Sequence, residues 1–115
     1  MKSRAQFRKG CARTLVLKIL SERPMYGYEI ATLLAQRSEN IFSLGQGTLY
    51  PLLYSLEKKG LICVCKTVKD QSNGRKRLYY ELTQTGKQSL IEGLATWSEI
   101  VKGMTLVLRS SYAKG

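Results

Sequence analysis

Histidine is absent from this sequence, and acidic residues are few: 8 aspartates and glutamates stand against 19 lysines and arginines, a formal net charge of +11. Histidine is the usual general acid–base at neutral pH and the commonest metal ligand. Paired carboxylates, a phosphate-binding loop and a serine–lysine arrangement are also missing. We therefore expect no enzyme, and neither a bound metal nor a cofactor. The excess of positive charge predicts a polyanionic partner, either nucleic acid or an acidic membrane surface.

Long apolar runs are also absent. No stretch stays apolar for about 18 residues, so no segment is predicted to span a membrane. Lys18 interrupts the apolar stretch Leu15–Leu20, which argues against a secretory signal. The 3 cysteines are an odd number, which argues against a disulfide framework. We expect a soluble, cytoplasmic protein.

The positive charge is concentrated in two places. No acidic residue precedes Glu22, whereas the first eighteen residues contain six cations: Lys2, Arg4, Arg8, Lys9, Arg13 and Lys18. A second group, Arg75, Lys76 and Arg77, follows a cluster of turn-forming residues. Alternatively, each of these basic residues is only a solvated surface charge.

The segment from Gly47 to Ile62 is predicted to be a short amphipathic helix that ends at Gly60 and runs into a strand. Its apolar face consists of Leu49, Leu52, Leu53 and Leu56. The other faces bear hydroxyls, aromatic rings and lysines, with Glu57 as the only acid. Such a surface suits a groove between phosphates, although a solvated outer face is the alternative. With Gly47 as the N-cap, Pro51 falls within the first turn, where proline is tolerated.

The order of elements predicts a winged helix-turn-helix. A helix over Phe7–Leu20, a second helix from Gly27, and the helix after Gly47 precede two strands, Leu61–Val68 and Lys76–Leu82, joined by a turn containing Asn-Gly. Ile41–Phe42 is a candidate for one more short strand, and Thr83 is predicted to cap a final helix. The fold is thus mainly α with a small β-hairpin wing. We expect a DNA-binding domain over residues 1–82 and a C-terminal dimerisation helix over residues 83–115.

The final helix has a heptad pattern of apolar residues. They recur at alternating spacings of four and three: Leu90, Leu94, Trp97, Val101, Met104 and Leu108. A small domain has too little core to bury this stripe, so we predict that it packs against a second subunit. The alternative is that the helix folds back onto the first helix of its own chain.

Five segments together resemble the PadR family of transcriptional regulators. They are Tyr26–Ile30 (YGYEI), Gly47–Leu53 (GTLYPLL), Leu56–Ile62 (LEKKGLI), Gly74–Arg77 (GRKR) and Tyr79–Thr83 (YYELT). The single C-terminal helix is similar to that of the small subfamily. The resemblance implies a homodimeric repressor of a palindromic operator in double-stranded DNA, often with small phenolic or drug-like inducers.

The candidate DNA-binding residues lie on three elements: Tyr28, Gln46, Thr48, Tyr50, Pro51, Arg75, Lys76 and Arg77. Gln46 is suited to an adenine edge, Thr48 to a phosphate or thymine methyl, and Tyr50 to a phosphate. The wing cations would contact phosphate or the minor groove. Trp97, the only tryptophan, is a candidate platform for a planar aromatic effector, as the resemblance also implies. Its alternative role is an interface anchor.

Other functions stay open. Cys63 and Cys65 are predicted to share one strand face, opposite Ile62 and Val64, and such a pair is able to sense redox state or a soft metal. They are alternatively two small strand residues. A non-specific or architectural nucleic-acid-binding protein is another alternative, as is a partner-binding module without operator specificity.

Overall fold

The computed structural model describes the backbone of residues 2–113 and the side chains of residues 10–109. Its elements, in chain order, are α1 (Lys2–Leu20), β1 (Met25–Tyr26), α2 (Gly27–Arg37), α3 (Gln46–Lys58), β2 (Ile62–Lys69), β3 (Lys76–Leu82) and α4 (Gln84–Ala113). The predicted fold class, a mainly helical winged helix-turn-helix with a long C-terminal helix, is confirmed. The cations Lys2, Arg4, Arg8 and Lys9 lie outside the described side chains.

The sheet has three antiparallel strands in the order β1-β3-β2. The hairpin of β2 and β3 was expected, but the third strand is Met25–Tyr26, which pairs with Tyr80 and Tyr79. The prediction of a strand at Ile41–Phe42 is wrong. Two residues with positive φ, Glu39 and Asn40, turn the chain there, and the Phe42 N–H donates to Ser38 Oγ at 2.9 Å.

The core lies where α1, α2 and α3 pack together over the inner face of the sheet. Its buried residues come from every helix and strand: Val16, Leu17, Ile19, Leu20, Met25, Ile30, Leu34, Leu49, Leu53, Leu56, Leu61, Ile62, Tyr80 and Leu90. Burial of this apolar surface is the main force that orients the three helices. Two ion pairs, one between Glu22 and Arg37 and one between Arg23 and Glu29, join the segment after α1 to α2.

Helix α3 begins two residues earlier than predicted. Gly45, not Gly47, is the N-cap, because its carbonyl accepts the N–H groups of Thr48 at 3.0 Å and Leu49 at 2.9 Å. Pro51 therefore lies in the second turn, where its missing N–H leaves the carbonyl of Gly47 without that bond. Gly47 is an exposed residue, and at such a position water replaces a lost helix bond at small cost.

Helix α4 begins at a cap that was expected. Thr83 Oγ1 accepts the N–H of Gly86 at 3.0 Å. The first turns then pack against α1, and Arg13 Nη2 donates to Ser89 Oγ at 3.4 Å. Among the described residues, no helix is long and apolar enough to cross a membrane.

The prediction that the whole heptad stripe packs against a second subunit is wrong for Leu90. Its side chain is only 8% exposed and belongs to the core of its own chain. Helix α1 covers this part of α4, so the alternative of folding back onto the first helix holds for the first turns. The exposed part of the stripe begins at Leu94.

Candidate nucleic-acid interface

The outer face of α3 presents the predicted contact residues together. Leu49, Leu53 and Leu56 are buried and hold the helix on the core. On the other faces, four of the predicted residues are exposed within the first two turns: Gln46, Thr48, Tyr50 and Pro51. The N-terminal end of a helix-turn-helix recognition helix is the part that contacts base edges. The buried leucines therefore aim this end outward.

Tyr50 has a defined position. A Cβ atom built on Gly27 would lie 3.0 Å from both Cε1 and the hydroxyl oxygen of Tyr50. The absence of a side chain at Gly27 thus allows the Tyr50 ring to lie directly against the start of α2. The ring remains about half exposed, at 48%. Its hydroxyl lies at the edge between α2 and α3.

Helix α2 adds a second row of polar groups beside α3. A shallow groove of about 440 Å³ separates the two helices, and its lining includes Tyr28, Thr32 and Gln36 of α2 together with Gln46 and Tyr50 of α3. Tyr28, one of the predicted residues, is 69% exposed. Sequence reasoning missed Thr32 and Gln36, although their positions four and eight residues after Tyr28 were a usable signal.

Tyr54 is a further residue that the candidate set omitted. It is exposed on α3, one turn after Tyr50. The same spacing of four residues was available from the sequence. A large aromatic ring left in solvent on this helix extends the surface offered to a partner.

The tip of the wing is ordered by Asp70. Its Oδ1 accepts the backbone N–H of Ser72 at 2.9 Å and the Ser72 hydroxyl at 2.7 Å. These bonds, the hydroxyl first, hold the pKa of Asp70 below its ordinary value, with a smaller contribution from Arg77. Gly74 follows with φ +73°, a conformation that favours glycine. Arg75 and Lys76 are exposed just beyond this turn.

Arg77 differs from its two basic neighbours because it has partners within the chain. Its Nη2 lies 3.6 Å from Asp70 Oδ2, and its guanidinium lies 4.8 Å from the ring centre of Tyr26. Tyr26 in turn meets the edge of Tyr79 across the sheet. Arg77 therefore ties the wing tip to β1, whereas Arg75 and Lys76 point their charge outward.

Comparison with known proteins agrees with this geometry. The model of the transcriptional regulator PadR-like family matches residues 16–92. An uncharacterised protein of Lysinibacillus sphaericus is 35% identical over 84% of this chain and 87% of its own length. The chain belongs to the PadR family. It is therefore a DNA-binding transcriptional regulator and not an enzyme.

Another curated relative and a solved structure also resemble the chain over most of its length. Transcriptional regulator Rv3488 of Mycobacterium tuberculosis is 29% identical over 84% of the chain and 85% of its own length. The crystal structure of a PadR-like transcriptional regulator from Bacillus cereus superposes with a TM-score of 0.75 at 30% identity, over 90% of this chain and 96% of that one.

Beyond Leu90, α4 of this PadR regulator is unusually apolar for an exposed helix. The remaining members of the heptad stripe are all exposed: Leu94, Trp97, Val101, Met104 and Leu108. Soluble monomers rarely present a continuous apolar surface of this length. Within the described side chains, this face of α4 is where a second subunit has most apolar surface to cover.

Trp97 also borders a groove between α1 and α4. The groove has a volume of about 800 Å³, and its lining includes Cys11 and Leu15 of α1, Phe42, and Leu94 and Trp97 of α4. Two charged residues, Arg13 and Glu92, lie at the same groove. Trp97 is 58% exposed, so much of its surface is available to a ligand or a partner helix.

Cys65 is less suited to thiol sensing than the sequence suggested. A bulge between Val64 and Lys66 takes Cys65 out of the paired register. Its Sγ donates to the Tyr79 carbonyl at 3.4 Å. Desolvation of the sulfur, and then the charge of Glu81, raise the pKa of Cys65, which disfavours the reactive thiolate. Among the described residues, no three potential ligands are grouped to hold a metal.

Proposed function

We propose that this regulator is a ligand-responsive repressor that binds a palindromic operator as a homodimer. The observation that carries the proposal is the exposed N-terminal half of α3, held outward by buried leucines. In this proposal Gln46 reads an adenine edge, Thr48 contacts a phosphate or a thymine methyl, and Tyr50 contacts a phosphate. Pro51 and Tyr28 complete the contact surface. Such a repressor acts on the genome, so we place it in the cytoplasm.

The wing supplies affinity rather than sequence preference. Arg75 and Lys76 are exposed at the hairpin tip, and free cations at this position gain most from phosphate, by releasing counterions from the duplex. Arg77 acts less directly, because Asp70 and Tyr26 already engage it. Its role in this proposal is to hold the tip where its neighbours meet the DNA backbone.

Dimerisation through α4 sets the distance between the two copies of α3. Both recognition helices bind only if their separation matches about one helical turn of DNA, 34–36 Å, or a multiple of it. The exposed stripe from Leu94 to Leu108 supports this assembly. A two-fold dimer then explains a palindromic operator, because each half-site meets an identical helix.

The effector in this proposal is a planar aromatic molecule that stacks on Trp97 in the groove between α1 and α4. The carboxylate of Glu92 at this groove favours effectors that also bear positive charge. A ligand that prefers an unsuitable separation of the recognition helices releases the DNA, because binding at the two sites is thermodynamically linked.

The proposal is tested by selecting duplexes from a randomised library with the full chain. We expect one symmetric sequence to be enriched. Gln46→Ala should narrow the gap in binding free energy between that duplex and random DNA by about 1–3 kcal/mol, the cost of a lost base contact. Gln88→Ala, at an exposed glutamine of α4, is the matched control and should leave the gap unchanged.

Two results would contradict direct readout by α3. One is a flat sequence preference with a steep salt dependence, which is the behaviour of a non-specific or architectural binder. The other is an equal loss of specific and random binding in Gln46→Ala. Either result would favour binding through charge alone.

A further inference from the structure

The start of α4 is joined directly to the end of the recognition helix. Helix α3 ends in a Schellman motif, in which Leu61 N–H donates to the Leu56 carbonyl at 3.0 Å and Gly60 N–H to the Glu57 carbonyl at 2.9 Å. Gly60 has φ +76°. The next two carbonyls, of Gly60 and Leu61, then point away from α3 and are used by another element.

Thr83 donates a hydrogen bond to each of these carbonyls. Its hydroxyl donates to the Gly60 carbonyl at 2.6 Å, and its backbone N–H donates to the Leu61 carbonyl at 3.1 Å. The same hydroxyl oxygen accepts the Gly86 N–H at 3.0 Å. One side chain thus caps α4 and bonds the exit of α3 at the same time.

Gly86 allows a close approach at this joint, the contact between the start of α4 and Gly60–Leu61. A Cβ atom on Gly86 would overlap the Leu61 carbonyl oxygen and would also crowd Leu82 Cδ2 at 3.2 Å. Gly103, by comparison, has open space at the position of its missing Cβ. Glycine at position 86 therefore allows close contact between α4 and the segment after α3.

We propose that Thr83 and Gly86 are positioning residues that set the angle between α4 and the recognition helix α3. The inference depends on the proposed function, in which α3 reads DNA and α4 pairs the subunits. Helix α4 has 30 residues, so it is about 45 Å long. A few degrees of rotation at its first turn would displace its far end by several ångströms, and with it the partner subunit's recognition helix.

Four variants separate positioning from stability. Thr83→Ser keeps a hydroxyl that is able to donate and accept. Thr83→Asp keeps a good N-cap for α4, but its carboxylate has no proton to give to the Gly60 carbonyl at neutral pH. Gly86→Ala places a methyl group against the Leu61 carbonyl and should push α4 away from it. Gly103→Ala is the control, because it adds the same methyl group to α4 where no atom lies nearby.

The first measurement is the distance between α3 and α4 within one chain. Spin labels are attached to Lys58→Cys and Lys102→Cys, both at exposed positions, with serine at Cys11, Cys63 and Cys65. Dilution with unlabelled chain removes distances between subunits. Thr83→Ser and Gly103→Ala should keep the parent distribution, whereas Thr83→Asp and Gly86→Ala should shift or broaden it. Unchanged distributions in both latter variants would overturn the inference.

The second measurement compares the full selected duplex with a duplex that carries one half-site. In Thr83→Asp we expect affinity for the full duplex to fall about tenfold, within the usual range for coupled sites, and half-site affinity to stay within about twofold. Equal losses on both duplexes would show a merely structural role. If the unmodified chain selects no sequence, the proposed function fails, while the label distances still decide whether the joint sets the angle.

Discussion

Tyr80 links the wing to the core through a phenol that is almost completely buried. Burial raises its pKa, and the charge of Glu57 adds to the effect. Above about pH 10, the ordinary pKa of tyrosine, the unfolded chain loses a proton that the folded chain still holds. The stability that comes from neutral Tyr80 is therefore complete below that pH and is lost as pH rises through the folded pKa.

Removal of the Tyr80 hydroxyl should flatten this alkaline loss. We expect Tyr80→Phe to show a weaker fall in the free energy of unfolding above about pH 10 than the parent chain. Tyr54→Phe, at an exposed tyrosine, is the control and should retain the parent profile. Denaturant titrations at several pH values measure both. An unchanged slope in Tyr80→Phe would assign the alkaline sensitivity to another group.

Trp97 provides a direct signal for effector binding, since it is the only tryptophan of the chain. We expect planar aromatic compounds to quench its fluorescence and to weaken operator binding at the same concentrations, because stacking contributes about 0.5–1.5 kcal/mol beyond burial. If no compound of a broad panel quenches it, Trp97 is an interface anchor only.

Glu92 should decide whether the groove prefers cationic effectors. Glu92→Gln is expected to weaken binding of cationic aromatic compounds more than that of neutral ones of similar shape, since the change removes the charge but keeps the size. Glu99→Gln is the matched control on the same helix, at a glutamate outside the groove lining. An equal effect of both variants would place the selectivity in the overall charge of the chain.

At the scale of the element, the wing separates two uses of positive charge. Lys76→Ala should weaken binding to every duplex and lower the salt slope by about one, because one phosphate contact is lost. Arg77→Ala should instead loosen the pairing of β1 with β3, since its contacts with Asp70 and Tyr26 disappear. Salt-dependent affinities and amide exchange at Met25 and Tyr80 measure the two effects. Faster exchange in Lys76→Ala as well would contradict this division.

At the scale of the whole molecule, the exposed stripe of α4 predicts a dimer. The full chain should sediment with about twice the mass of one chain at micromolar concentration, because burial of the stripe yields about 25 cal/mol per Å². Val101→Glu places a charge within the stripe and should give monomers. Lys102→Glu, beside the stripe, should remain dimeric. A monomeric parent chain would remove the basis for a palindromic operator.

The sequence by itself determined the elements that depend on neighbouring residues. The periodicity of Leu49, Leu53 and Leu56 and the stop at Gly60 specify α3. The turn residues before Arg75 specify the hairpin of β2 and β3. These features come from contacts a few residues apart, so the candidate face of α3 was also visible in the sequence.

Only the tertiary structure decided what covers each apolar surface. Strand β1 exists because Met25 meets Tyr80, a partner distant in the sequence, and no local pattern reports such a pairing. The heptad stripe of α4 appeared continuous, yet α1 buries Leu90 and leaves Leu94 and the residues after it exposed. The hydrogen bond between Thr83 and Gly60 could not be predicted either. Periodicity shows that a helix face is apolar, and residue type shows that a residue suits a cap, but neither shows which element packs there.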